Sequence, residues 1–248
     1  MRSEEFISKI SNLSEENEKF EQLRAGIPLG VDVGDNVVLA RTKAPLSTRH
    51  LCVTGSGKTN FIRRALITLS CLYEKQDASF LIISPKAEYG ELLRLHSLDA
   101  VVPYIRLKSD FTQAIETVKE LIRMRADGKT YPKLFLVLDG IEELEGCNNS
   151  GDLEEYHSVL ELVARRQDVE VINGIDLVKS IFSGYPGAFV GIGNCLVTTR
   201  EVGTADVTYV NDDSSLSPPT VMHYPSAPSV METVIFLNSI QKETGETV

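Results

Sequence analysis

No run of eighteen apolar residues occurs in this 248-residue chain, so a membrane-spanning helix is excluded. The first ten residues, MRSEEFISKI, lack the apolar stretch of a secretory leader. Cysteine is scarce and scattered: Cys52, Cys71, Cys147 and Cys195 form no C-x-x-C pair, which speaks for reduced thiols in a cytoplasmic protein rather than a disulfide framework or a zinc site. The four histidines show no metal-ligand spacing either. Positive charge is short as well. With 25 Lys and Arg against 35 Asp and Glu the net charge is −10, and no basic stripe stands out beyond Arg63-Arg64 and Arg165-Arg166. That balance argues against extensive nucleic-acid contact by this chain alone.

What is present is the alternation of short β-rich runs with helical patterns of a dozen or so residues. The expected class is α/β, a mostly parallel sheet with helices on both faces. Residues 1–26 are polar with sparse apolar positions and read as a helical linker. Residues 27–248 read as one domain, and no internal repeat is visible. Within it, the runs around Gly34-Asp35 signal a hairpin. HLCVT is a short buried strand, and KTNFIRRALITLSCLYE is a helix with Phe61, Ile62, Ala65, Leu66, Leu69 and Leu72 on one face. FLIISPK is a strand closed by Pro85, and KLFLVLDG is the most apolar strand of the chain. Further strands are expected at VEVING, NCLVTTRE and ADVTYVN, a loop at DDSSLSPP and a last helix at SVMETVIFLNSIQKE.

The chemistry is concentrated where the first core strand meets its helix. Gly55-Ser56-Gly57-Lys58-Thr59 has the composition of a phosphate loop. Backbone N–H groups at a helix N-terminus receive an anion, the lysine reaches the β/γ-phosphates, and the Thr59 hydroxyl is placed to ligate Mg²⁺. The loop is short. The pattern G-x-x-x-x-G-K-[ST] requires a glycine five residues before Gly57, and Cys52 stands there. Whether so few amides still grip ATP is open at this level. Across the sheet, the apolar run LFLVLD ends in Asp139, the carboxylate expected to hold Mg²⁺ through water. ATP-hydrolysing sites place a glutamate next to it; this chain has Gly140. Glu142, Glu143 or a neighbouring subunit would then have to supply the base. The candidate catalytic residues are therefore Asp139 and Glu142.

In their order, IPLGVDVGDNVVLA, HLCVTGSGKTNFIRRAL, FLIISPKAEYGEL and LFLVLDGIEEL resemble the FtsK/SpoIIIE family of motor domains, over roughly residues 27–145. The resemblance implies a RecA-like P-loop ATPase fold, rings of six subunits, and ATP-driven movement of DNA or of a secreted polypeptide. Lys58, Thr59 and Asp139 match the family's phosphate lysine, Mg²⁺ hydroxyl and Walker B aspartate. SPK looks like the family's D-P-K with Ser84 in place of the acid. The short loop, Gly140 and the lack of a sensor residue after VEVING depart from the pattern. Such degenerate sites are similar to EssC-type C-terminal domains of type VII secretion systems. Two functions follow. One is an ATP-binding translocase domain that moves DNA with a degenerate, weak ATPase site. The other is a non-catalytic module that docks a protein substrate or neighbouring motor domains. Both imply the cytoplasm or the cytoplasmic part of a membrane-anchored complex.

Overall fold

In the computed structural model the described residues are 26–34, 36–40, 50–73, 76–94, 100–101, 105–125, 131–143, 158–159, 162–163, 166, 168, 169–176, 195–200, 203–209 and 215–224. The expected linker over 1–26 falls almost wholly outside them, as does the expected last helix. The strands are β1 (Ile27–Asp32), β2 (Val37–Ala40), β3 (His50–Gly55), β4 (Ala78–Ile83), β5 (Ala100–Val101), β6 (Lys133–Asp139), β7 (Val169–Gly174), β8 (Cys195–Thr199), β9 (Thr204–Tyr209) and β10 (Thr220–His223). Two α-helices are described, α1 (Lys58–Leu72) and α2 (Lys108–Met124), with 3-10 turns at Ala87–Arg94 and Ile141–Glu143.

Side chains alternate strictly along β6. Phe135 and Val137 join the core under α1, whereas Leu134, Leu136 and Leu138 join the core under α2. The same two-residue period puts Leu51 and Val53 of β3 on the α1 side and Cys52 on the other. A strand buried on both faces reads as one apolar run, which is why LFLVL shows no alternation of polarity. Helix α1 covers its face with Phe61, Ile62, Ala65, Leu66 and Leu69, all fully buried. These are positions a helix brings to one side. Helix α2 buries Phe111, Ile115, Val118 and Ile122 by the same rule. Its first turn is closed by Asp110, whose Oδ2 accepts from the Arg106 and Leu107 amides at 3.0 and 2.8 Å.

The strands form one sheet in the order β2-β1-β10-β9-β8-β3-β7-β6-β4-β5. From β8 to β5 the pairs are parallel, the half that the βα alternation announces. From β2 to β8 they are antiparallel. The sheet is therefore mixed. Strand β10 lies between the loop expected at DDSSLSPP and the expected last helix, where the sequence reading assigns no element, and it joins β1 to β9. TVMH gives little sign of this, because only Met222 of the four is buried. The C-terminal ends of β3, β6 and β7 meet at the N-terminus of α1. In an open α/β sheet that edge is where ligands bind.

Candidate functional site

Strand β3 runs to Gly55 and α1 begins at Lys58, so the phosphate loop is reduced to the turn Ser56-Gly57. Gly57 caps the helix with φ +81°. The turn is fastened to the end of β8. Thr199 Oγ1 lies 2.8 Å from the Thr54 carbonyl oxygen and 2.7 Å from that of Ser56. Ser56 Oγ donates to the Arg200 carbonyl at 2.9 Å. A Cβ on Gly55 would overlap the Thr199 carbonyl oxygen, so glycine is needed there for close approach of the two strands. The loop is short because β3 continues in register with β8 as far as Gly55↔Thr199. Gly55, Ser56, Gly57, Lys58 and Thr59 nevertheless stand at a 15-residue helix N-terminus with no acidic residue in its first turn, an electrostatic setting that suits an anion.

Asp139 is the next member. By the alternation along β6 it shares a face with Phe135 and Val137, and therefore points at α1. Its carboxylate is fully buried. Oδ2 accepts from Thr59 Oγ1 at 2.8 Å, from Tyr89 OH at 2.9 Å and from Lys86 Nζ at 3.2 Å. Burial, followed by the Asp139 charge and hydrogen bond, pushes the Tyr89 phenol well above its ordinary range, so it stays protonated and donates. Thr59 and Asp139, 80 positions apart in the chain, are thus in direct contact.

Three further residues complete the site and escaped the sequence reading as site residues. Lys86 Nζ also donates to Thr59 Oγ1 at 2.8 Å and lies 3.7 Å from Glu143 Oε1. Tyr89 enters from the 3-10 turn after β4. Gly174 lies beside Asp139 in the β6–β7 register. A Cβ there would overlap Asp139 Oδ1 and stand 2.8 Å from Ile62 Cδ1. The SPK resemblance was the one available signal for Lys86; nothing marked Tyr89 or Gly174. Gly140, in the place of the usual glutamate, has φ +71°. Of the two acids after it, Glu143 reaches the cluster through Lys86, and the Glu142 side chain lies outside the described residues.

Thr59 and Asp139 offer the oxygen chemistry that Mg²⁺ prefers, yet their arrangement does not fit the ion. Asp139 Oδ2 already takes three donors, one of them an ammonium that also contacts Thr59. Oδ1 has no hydrogen-bond partner and lies against Gly174. Elsewhere among the described residues no group of three His, Cys, Asp or Glu is placed to hold a metal. Cys52 and Cys195 are buried, and burial, with Cys52 nearby, pushes the Cys195 thiol far up, which makes it a poor nucleophile. No described helix is long and apolar enough to cross a membrane.

No family model and no curated protein matches this chain. Solved structures do. The cytoplasmic domain of the Thermomonospora curvata type VII secretion ATPase EccC superposes with TM-score 0.61 at 14% identity, over 83% of this chain and 26% of that one. ATPases 2 and 3 of EccC, solved with a signal-sequence peptide, give 0.58 at 15%, over 83% and 41%. EssC (ATPases 2 and 3) from Geobacillus thermodenitrificans gives 0.57 at 15%, over 82% and 41%. The pCW3 conjugation coupling protein TcpA, solved with ATPγS, gives 0.51 at 14%, over 86% and 70%. The chain spans about a quarter of the length of the EccC chain. At these identities the likeness is one of fold: the chain has the fold of the type VII secretion and conjugation ATPase domains, the motor fold that its resemblance to FtsK/SpoIIIE implied.

Proposed function

We propose that the chain is a nucleotide-binding domain of a translocating ATPase assembly, with little or no hydrolysis of its own, working on an exported polypeptide beside other motor domains in the cytoplasm. The observation that carries this is the 2.8 Å hydrogen bond from Thr59 to Asp139 at the mouth of the phosphate turn. It brings the carboxylate at the end of β6 to the N-terminus of α1, at the sheet edge where phosphate sites lie. Lys58, first residue of α1, supplies phosphate charge, and the amides of Gly55, Ser56 and Gly57 meet the phosphate oxygens. Weak turnover follows from Gly140, which has no side chain to polarise a water. A polypeptide rather than DNA as the polymer is favoured by the net charge of −10 and by the signal-sequence peptide bound to the EccC relative.

Titration with a fluorescent ATP analogue tests the reading. Saturable binding is expected, weakened about tenfold or more by Lys58→Ala, which corresponds to about 1.4 kcal/mol. Absence of binding to the wild-type chain rejects it. A parallel titration with duplex DNA decides the polymer. Affinity that collapses as salt rises would mark phosphate contacts and return the assignment to DNA.

A further inference from the structure

We infer that Lys86 is the resident cation of this site, and that the chain takes a nucleoside triphosphate without a divalent metal. The inference rests on the nucleotide-binding reading above. Its starting point is that Asp139 is a fully buried carboxylate, which must find its counter-charge inside the protein. Lys86 provides it, at 3.2 Å from Oδ2, while touching the Thr59 hydroxyl at 2.8 Å. One ammonium thus contacts both oxygens that would otherwise share a Mg²⁺ ion. A divalent ion beside Thr59 would lie within a few ångströms of that ammonium and be repelled by it.

The chain is shaped to keep Lys86 there. Its backbone N–H donates to Ser84 Oγ at 3.1 Å, closing the Ser84-Pro85-Lys86 turn at the end of β4. The lysine stem then passes over Gly140. A Cβ on that residue would lie 2.8 Å from Lys86 Cε and 3.2 Å from Nζ, and the backbone, at φ +71°, is one that side chains rarely adopt. The position that carries the water-polarising glutamate in hydrolysing enzymes is therefore the channel for the lysine stem. From the solvent side Glu143, 38% exposed, approaches Nζ at 3.7 Å. Lysine and glycine form one device. It neutralises the Walker B carboxylate, removes the base, and leaves Lys58 and the turn amides facing the phosphates. Such a site holds nucleotide as a structural ligand and has no use for the metal that hydrolysis requires.

The test is the affinity of a fluorescent ATP analogue for the full chain, measured with excess Mg²⁺ and with excess EDTA. Wild type should bind equally in both, within about threefold. Lys86→Met, which keeps the stem and removes the charge, should bind about tenfold or more tightly with Mg²⁺ than with EDTA, a difference of about 1.4 kcal/mol. Should circular dichroism show that Lys86→Met does not fold, Lys86→Gln retains a neutral donor and serves in its place. Wild-type binding that needs Mg²⁺ overturns the inference and leaves nucleotide binding standing. A Lys86 variant as indifferent to Mg²⁺ as wild type also overturns it. Failure of wild type to bind in either buffer removes the nucleotide-binding reading and this inference with it.

Discussion

Replacing Gly174 by alanine adds one methyl group and should be among the most damaging small changes available in this fold. The new Cβ would overlap Asp139 Oδ1 and stand 2.9 Å from Asp139 Cγ and 2.8 Å from Ile62 Cδ1. Neither neighbour is a free chain end. Ile62 is fully buried under α1, and Asp139 is held by Thr59, Lys86 and Tyr89. Overpacking of this kind costs about 1–3 kcal/mol. Displacing the carboxylate enough to break one of its hydrogen bonds adds about 1.5–3 kcal/mol, because the acceptor is charged. The sum is about 2.5–6 kcal/mol, out of the 5–15 kcal/mol by which a domain is ordinarily stable. At about 2–4 °C per kcal/mol for a chain of this size, the midpoint of thermal unfolding should fall by roughly 5–24 °C. Gly90→Ala is the control. Gly90 is exposed, a Cβ there meets nothing within 4 Å, and its melting point should stay within about 2 °C of wild type. Thermal melts at fixed pH would measure both variants. If Gly174→Ala melts like Gly90→Ala, the placement of Asp139 against β7 is wrong, and the site built on it fails.

Two further outcomes follow from the same contacts. Tyr89→Phe removes one donor from the Asp139 carboxylate and leaves Thr59 and Lys86, so urea unfolding should show a loss of about 1.5–3 kcal/mol. A loss below about 0.5 kcal/mol would mean the phenol does not bond that oxygen. At the opposite end of the sheet, Asp168 joins Arg125 at 3.1 Å and Arg166 at 2.9 Å. Partial burial pushes its carboxyl up, but the hydrogen bonds from Arg166 and Arg125 outweigh this and leave it below its ordinary 3.8. A carboxylate lowered by folding adds stability above its unfolded value, and that stability is lost as pH falls through the folded one. Wild type should therefore lose stability on acidification below about pH 4 more steeply than Asp168→Asn, as unfolding midpoints across pH 2.5–6 would record. Parallel slopes for the two proteins would refute the clamp.

Much of the site's first layer was legible because it rests on local pattern. A strand ending in glycines before Lys58-Thr59 and a helical apolar stripe can only form a β-turn-α unit. The apolar run LFLVLD marked Asp139 as its charged end. The missing glutamate and the short loop were equally plain. Lys86, Tyr89 and Gly174 were not, because each matters only for what it meets. Lys86 lies 27 positions from Thr59 and 53 from Asp139, and no periodicity links them.

The amino-acid order by itself determined the βα units, since these follow from backbone repeat and side-chain polarity over a dozen residues, and its motifs named Thr59 and Asp139 as candidates. Tertiary structure alone decided that β10 closes an antiparallel half of the sheet. It also decided that β8 pins the turn through Thr199, and that an ammonium lies where the motif leads one to expect a metal. Hydrogen bonds and charge contacts between segments depend on which strands become neighbours, and strand adjacency is settled only when both faces of the sheet are buried.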